Sequence, residues 1–105
     1  MIIIKTSSDT IEILEEISKK LISNKLAACV NIISNCYSYF FWEGNMQKNK
    51  EYLAFIKTIK NNEKKVYKII KNYHNYDVPE ILTIDVDNID YPYMEWALGV
   101  IKKDD

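Results

Sequence analysis

Hydrophobic positions along this chain recur with two periods, and the switches between them mark out its elements. Met1 to Thr6 is a short continuous apolar run with β-branched residues, the pattern of a fully buried central strand. Ser7-Ser8-Asp9 then offers helix N-caps, with Asp9 and Glu12 at capping-box spacing. Ile11, Leu14, Ile17, Leu21 and Ile22 follow at intervals of three and four, with Glu12, Glu15, Glu16, Lys19 and Lys20 on the outer face. Acids come early and bases late, as the helix dipole prefers. This predicts a helix from about Asp9 to Asn24, with Asn24 as a left-handed C-cap residue.

The period then changes. Ala27 to Ile33 and Glu51 to Ile59 read as β-runs flanking Tyr39-Phe40-Phe41-Trp42-Glu43-Gly44-Asn45, and Gly44-Asn45 supplies residue types that tolerate positive φ for the reversal of a hairpin. An extended Ala27–Trp42 spans about 50 Å at roughly 3.3 Å per residue. A compact domain of this size is only about 34 Å across, from a radius of gyration near 13 Å. The arm therefore bends, at Ser34-Asn35, or projects past its own subunit; the aromatic tip favours projection. Tyr39 and Phe41 fall on one face of a strand, Phe40 and Trp42 on the other. The subunit's helices can cover one such face, and the other requires a second copy of the chain.

A second helix follows, capped by Asn61-Asn62, with Val66, Ile69, Ile70 and Tyr73 as its stripe and Lys64, Lys65, Lys68 and Lys71 on a solvated face. Tyr73-His74-Asn75-Tyr76-Asp77 is a polar-aromatic connector. Pro79 opens a strand over Glu80–Val86, in which Leu82, Ile84 and Val86 share one face and Ile81, Thr83 and Asp85 the other. Asn88 to Asp90 turns the chain. Pro92 suits the first turn of a C-terminal helix from Tyr91 or Pro92 to about Ile101, with Tyr93, Trp96, Ala97 and Val100 as its apolar stripe and Lys102 to Asp105 as a solvated tail. The order β-α-β-β-α-β-α predicts a single α+β domain over residues 1–105, ferredoxin-like, with an antiparallel four-stranded sheet, two helices on one face, a long hairpin between the second and third strands and an extra C-terminal helix.

Composition narrows the function. The net charge of −1 is evenly mixed and all fourteen basic residues are lysines, which disfavours nucleic-acid binding and an anionic membrane surface. The amino terminus lacks a signal-peptide core and no apolar run reaches membrane-spanning length, so a cytoplasmic location is expected. Cys29 and Cys36 stand seven apart, on opposite faces if their strand is unbroken, and read as unpaired buried thiols.

Five stretches carry a family resemblance. Lys25-Leu26-Ala27-Ala28-Cys29-Val30-Asn31, Phe41-Trp42-Glu43-Gly44, Phe55-Ile56-Lys57-Thr58, His74-Asn75-Tyr76-Asp77-Val78-Pro79-Glu80 and Tyr93-Met94-Glu95-Trp96 resemble, in order, segments of the CutA divalent-cation tolerance proteins. The resemblance implies a ferredoxin-like homotrimer built by its hairpin arms, related in plan to the PII signalling proteins, with a role in tolerance of copper and other divalent metals. The metal site proposed in some members takes a cysteine at the end of the first strand and a histidine pair in the connector. Here Lys5 or Thr6 stands at the first position, Tyr73 precedes His74, and Asn75 replaces the connector's proline.

Two kinds of chemistry remain open. His74, the one histidine, is a candidate ligand for Cu²⁺ or another divalent cation, with Asp77 and Glu80 near it and Cys29 or Glu43 as donors across a subunit boundary. Lys57 shares a strand face with Leu53, Phe55 and Ile59. Its ammonium calls for a carboxylate, Glu80 or Glu43, and an inter-subunit pocket of Lys57, Tyr76, Glu80, Glu43, Trp42 and Trp96 could hold a small anion or a protein partner. Asp85, Asp87 and Asp90 lack the glycine and terminal glutamate of a calcium loop. No motif supports an enzyme: there is no nucleophile elbow, no phosphate-cradling loop (the glycines are Gly44 and Gly99) and no Cys/His or Ser/His pairing.

Overall fold

A computed structural model describes residues 1–101; the expected tail from Lys102 lies outside the described residues. The elements are β1 (Ile2–Ser8), α1 (Ile11–Ser23), β2 (Cys29–Trp42), β3 (Asn45–Thr58), α2 (Glu63–Tyr73), β4 (Ile81–Asp85) and α3 (Tyr91–Val100). The strands form one antiparallel sheet in the order β2-β3-β1-β4, the ferredoxin-like arrangement.

Strand alternation divides the sheet. Ile2, Ile4, Val30, Ala54 and Ile56 face the helices, where Leu14, Ile17, Leu21, Val66 and Ile70 close a core in which Ile4, Leu21, Ile56, Val66 and Ile70 are fully buried. On the opposite face Lys57 lies level with Ile3 and Cys29, and Phe55 with Lys5 and Asn31. Leu82 and Ile84 continue those rows across β4 and remain half exposed. The helices α1 and α2 lie on the other side of the sheet; on this side α3 reaches Lys57 through Tyr93. The central position of β1 is as expected, but Ile3 and Lys5 are only half-buried because they point to the open side.

Several local expectations shift. The Asp9/Glu12 capping box does not form: Thr10 is the N-cap of α1 and makes no side-chain cap bond, while its amide donates to Ser8 Oγ at 3.1 Å. The left-handed residue after α1 is Lys25 (φ 57°) and not Asn24, whose φ is −89°. Asn62 does not cap α2 with its side chain but is buried and donates to the Leu26 carbonyl at 3.3 Å, beside Thr58 Oγ1 at 2.5 Å. A buried carbonyl must find donors, and this loop carbonyl takes two.

The hairpin reverses at Glu43-Gly44, one residue earlier than expected, since Trp42 pairs with Asn45. Both central residues have positive φ, 51° and 78°, the type I′ geometry whose twist matches the flanking strands. The arm both bends and projects. Between the pairs Ile33↔Leu53 and Cys36↔Glu51, Ser34 and Asn35 stand against Tyr52 alone, with Asn35 left-handed at φ 62°; this is a β-bulge. It resets strand phase by one. Cys36 therefore faces the same side as Cys29, against the expectation of opposite faces; both thiols are half-buried where burial was expected, and they stay unpaired with about six residues of strand between their rows. Past the bulge the arm leaves the body, giving extents of 46 × 27 × 20 Å. Phe41 is 76% and Trp42 63% exposed within the chain.

Candidate functional site

The densest polar cluster sits where β1 ends and α1 begins, clasped by the connector after α2. Ser8 Oγ donates to Asn75 Oδ1 at 2.7 Å, and Asn75 Nδ2 donates to Asp9 Oδ1 at 2.9 Å. The Asp9 amide donates to the Tyr76 hydroxyl at 2.9 Å, and that hydroxyl donates to Glu51 Oε2 at 3.0 Å. Burial first, and the bond to Glu51 second, push the Tyr76 phenol up to about 12. Glu51, on β3 at the base of the arm, is 7% exposed.

His74 is committed at both ring nitrogens. Nε2 lies 2.7 Å from the Ser7 carbonyl and Nδ1 accepts the Tyr76 amide at 3.0 Å. A carbonyl only accepts, so Nε2 carries the proton and the ring is the neutral Nε2–H tautomer. Its ring stands 5.0 Å from that of Tyr76, tilted by 48°. Nothing on the ring is left over for a metal while these bonds are made.

The other candidate ligands do not gather around it. Asp77 is exposed, and Glu80 forms an ion pair with Lys5 at 3.4 Å. Cys29 lies level with Lys57 and Ile3, six β1 residues from Asp9, or about 20 Å at roughly 3.4 Å per residue. Of the two residues at the end of the first strand, Lys5 is engaged by Glu80 and Thr6 is fully buried with a hydroxyl where a soft metal wants a thiolate. Among the described residues no group of three His, Cys, Asp or Glu side chains could hold a metal ion. Within one chain the donor set does not fit Cu²⁺.

The candidate pocket residues are also dispersed within one chain. Lys57 lies half-buried on the open face with its Nζ 5.6 Å from the centroid of the Tyr93 ring, a cation–π contact. Tyr93 in turn lies 5.6 Å from Trp96 on exposed α3. Tyr76 is at the opposite end of β1, Glu43 and Trp42 are at the arm tip, and Glu80 is held by Lys5 instead of Lys57.

A groove of about 620 Å³ along α2, lined by Glu63, Lys64, Tyr67, Lys68, Lys71 and Asn72, contains none of these residues. On its flank Thr83 donates to Glu63 Oε2 at 2.6 Å and Tyr67 bonds Thr83 at 2.7 Å. The Thr83 bond, then Lys60 at 2.9 Å, holds the Glu63 carboxyl below its ordinary range.

Sequence reasoning missed two partners, Glu51 and Tyr93. The signal for Glu51 was present: it is an acid on the strand phase that carries Leu53, Phe55 and Lys57.

The fold and its arm define a class, a ferredoxin-like sheet with an open face and an overlong β2–β3 hairpin. Residues 1–99 match the family CutA1 divalent ion tolerance protein, and the chain belongs to that family. A "Divalent-cation tolerance protein CutA" of Pyrococcus horikoshii is 35% identical over 103 residues, covering 98% of this chain and all of the relative. A protein of the same name from Thermotoga maritima is 36% identical over 81 residues, 77% of this chain and 79% of its own. The solved CutA1 of Oryza sativa superposes with a TM-score of 0.93 at 31% identity, covering 98% of this chain and 94% of the other.

Proposed function

We propose that this chain serves tolerance of divalent cations, copper among them, as a cytoplasmic, non-enzymatic homotrimer of PII-like plan. The observation that carries the trimer is the projecting arm. Tyr37, Tyr39, Phe41 and Met46 share one of its faces, Phe40 and Trp42 the other, and most are well exposed in the single chain. A contiguous apolar surface of that kind marks an interaction site. The open sheet face, with Ile33, Leu82 and Ile84 half exposed, gives a second copy something to cover.

Metal binding is the first reading of how tolerance works. It requires His74 to exchange the Tyr76 amide for the metal and a second copy to supply further donors. The second reading is a small anion or a protein partner held between subunits near Lys57. One observation favours it: among the described residues no carboxylate pairs with Lys57, whose ammonium meets the Tyr93 ring.

Calorimetric titration of the metal-free protein with Cu²⁺, beside His74→Ala, separates the two. Saturable binding of about micromolar Kd or tighter, lost in the variant, supports metal binding. Binding that ignores His74 overturns it.

A further inference from the structure

Among the described residues, two charged side chains on one face of β3 have no ion-pair partner. Glu51 is 7% exposed and its carboxylate meets only the Tyr76 hydroxyl. Lys57 is half-buried and its ammonium meets only the face of Tyr93. The ion pairs among the described residues are Lys5–Glu80 and Lys60–Glu63, so neither of those lysines nor those acids is free to compensate them. Lys48 stacks on Tyr37 and Tyr39, and it lies on the other strand phase. A carboxylate withdrawn from water without a cation is costly, and a single neutral hydroxyl does not offset that cost.

Residues 51 and 57 share a strand phase but are six residues apart, about 20 Å at roughly 3.4 Å per residue. They cannot meet within one chain. We infer that Glu51 of one copy pairs with Lys57 of the next, so that the base of each arm lies on the open sheet face of its neighbour. The inference rests on the trimer reading above. A head-to-tail ring suits it, because closure uses one Glu51 and one Lys57 from every copy and leaves neither charge over. The neighbouring copy is then the protein partner held near Lys57, and a small anion would compete with Glu51 for that ammonium.

The test begins with the wild type in light scattering, where a mass near three times 12.4 kDa is expected. A wild-type monomer overturns the trimer reading and the pair with it. Given a trimer, Glu51→Lys and Lys57→Glu each lower the trimer fraction at micromolar concentration by about tenfold or more, and the double exchange E51K/K57E restores it. Single variants that stay trimeric overturn the pair and leave the trimer standing.

Because a reversed charge can spoil folding, the milder E51Q and K57M provide a second measurement. The amide of E51Q still accepts from Tyr76, so only the charge is lost. The double variant is expected to melt no lower than the weaker single. Residues this far apart in one chain are energetically independent, so coupling arises only between copies. Fully additive losses of melting temperature overturn the pairing.

Discussion

The Tyr76 hydroxyl donates to Glu51 at 3.0 Å while it accepts the Asp9 amide at 2.9 Å. One phenol thus joins the base of the arm, the start of α1 and the connector after α2. Its proton is held more tightly in the fold than in the unfolded chain, whose value is 10.0 against about 12. Between those values the folded state binds more protons, so stability contributed by Tyr76 is complete below about pH 10 and is lost as pH rises through 12. In a tyrosinate absorbance titration Tyr76 is expected to ionise late, and Tyr76→Phe to remove that late step. A wild-type curve without it refutes the assignment.

Tyr76→Phe also leaves Glu51 without its one hydroxyl donor. An unsatisfied buried acceptor costs about 1–3 kcal/mol, and charge places it at the upper end. Urea unfolding reads this as a lower midpoint at unchanged slope. A loss under about 0.5 kcal/mol shows that Glu51 draws its stabilisation from elsewhere.

Asn35 is left-handed at φ 62°, where a β-branched residue is strained. Asn35→Val is expected to cost about 1–2 kcal/mol and Asn35→Gly to be near neutral, compared by thermal unfolding. Equal effects from the two would mean that the bulge does not constrain the backbone.

Glu43 and Gly44 form the two-residue turn with φ of 51° and 78°. Asn-Gly is the preferred pair for that geometry, so Glu43→Asn is expected to stabilise by about 0.5–1 kcal/mol. A fall in melting temperature would show that the Glu43 carboxylate makes a contact that outweighs the backbone gain.

Trp42 lies 63% exposed at the arm tip within the chain. If a neighbouring copy covers it, Trp42→Asp yields monomer or insoluble protein. A well-behaved trimer from that variant shows the tip to be free.

The order of elements was legible because each has its own period, as in Ile11, Leu14 and Leu21 against the unbroken apolar run of β1. Chain length left the arm either to bend, at Ser34-Asn35, or to project, with the aromatic tip favouring projection; the fold does both. What was not legible depends on distant residues or on phase. The bonds that occupy His74 and Tyr76 join the connector to Ser7 and Asp9, 67 positions away, and no local pattern announces them. The turn slipped by one because Glu43, a poor left-handed residue, takes a position that composition alone assigns to Asn45. Lys57 was recognisable as an ammonium on an apolar face, but its meeting with Tyr93 follows from how α3 folds back.

The extra residue at Ser34-Asn35 acts as a phase setter for everything distal to it. With it in place, Tyr37, Tyr39 and Phe41 continue the helix-side rows of Val30 and Ile32, while Phe40 and Trp42 continue the row of Ile33. Shortening the chain by that one residue would exchange the two sets without changing a single tip side chain. The tip carries aromatics on both sides, so a slipped arm remains apolar toward whatever it meets but presents the wrong shape. The face that the arm presents is therefore encoded in the strand's count of residues as much as in their identity.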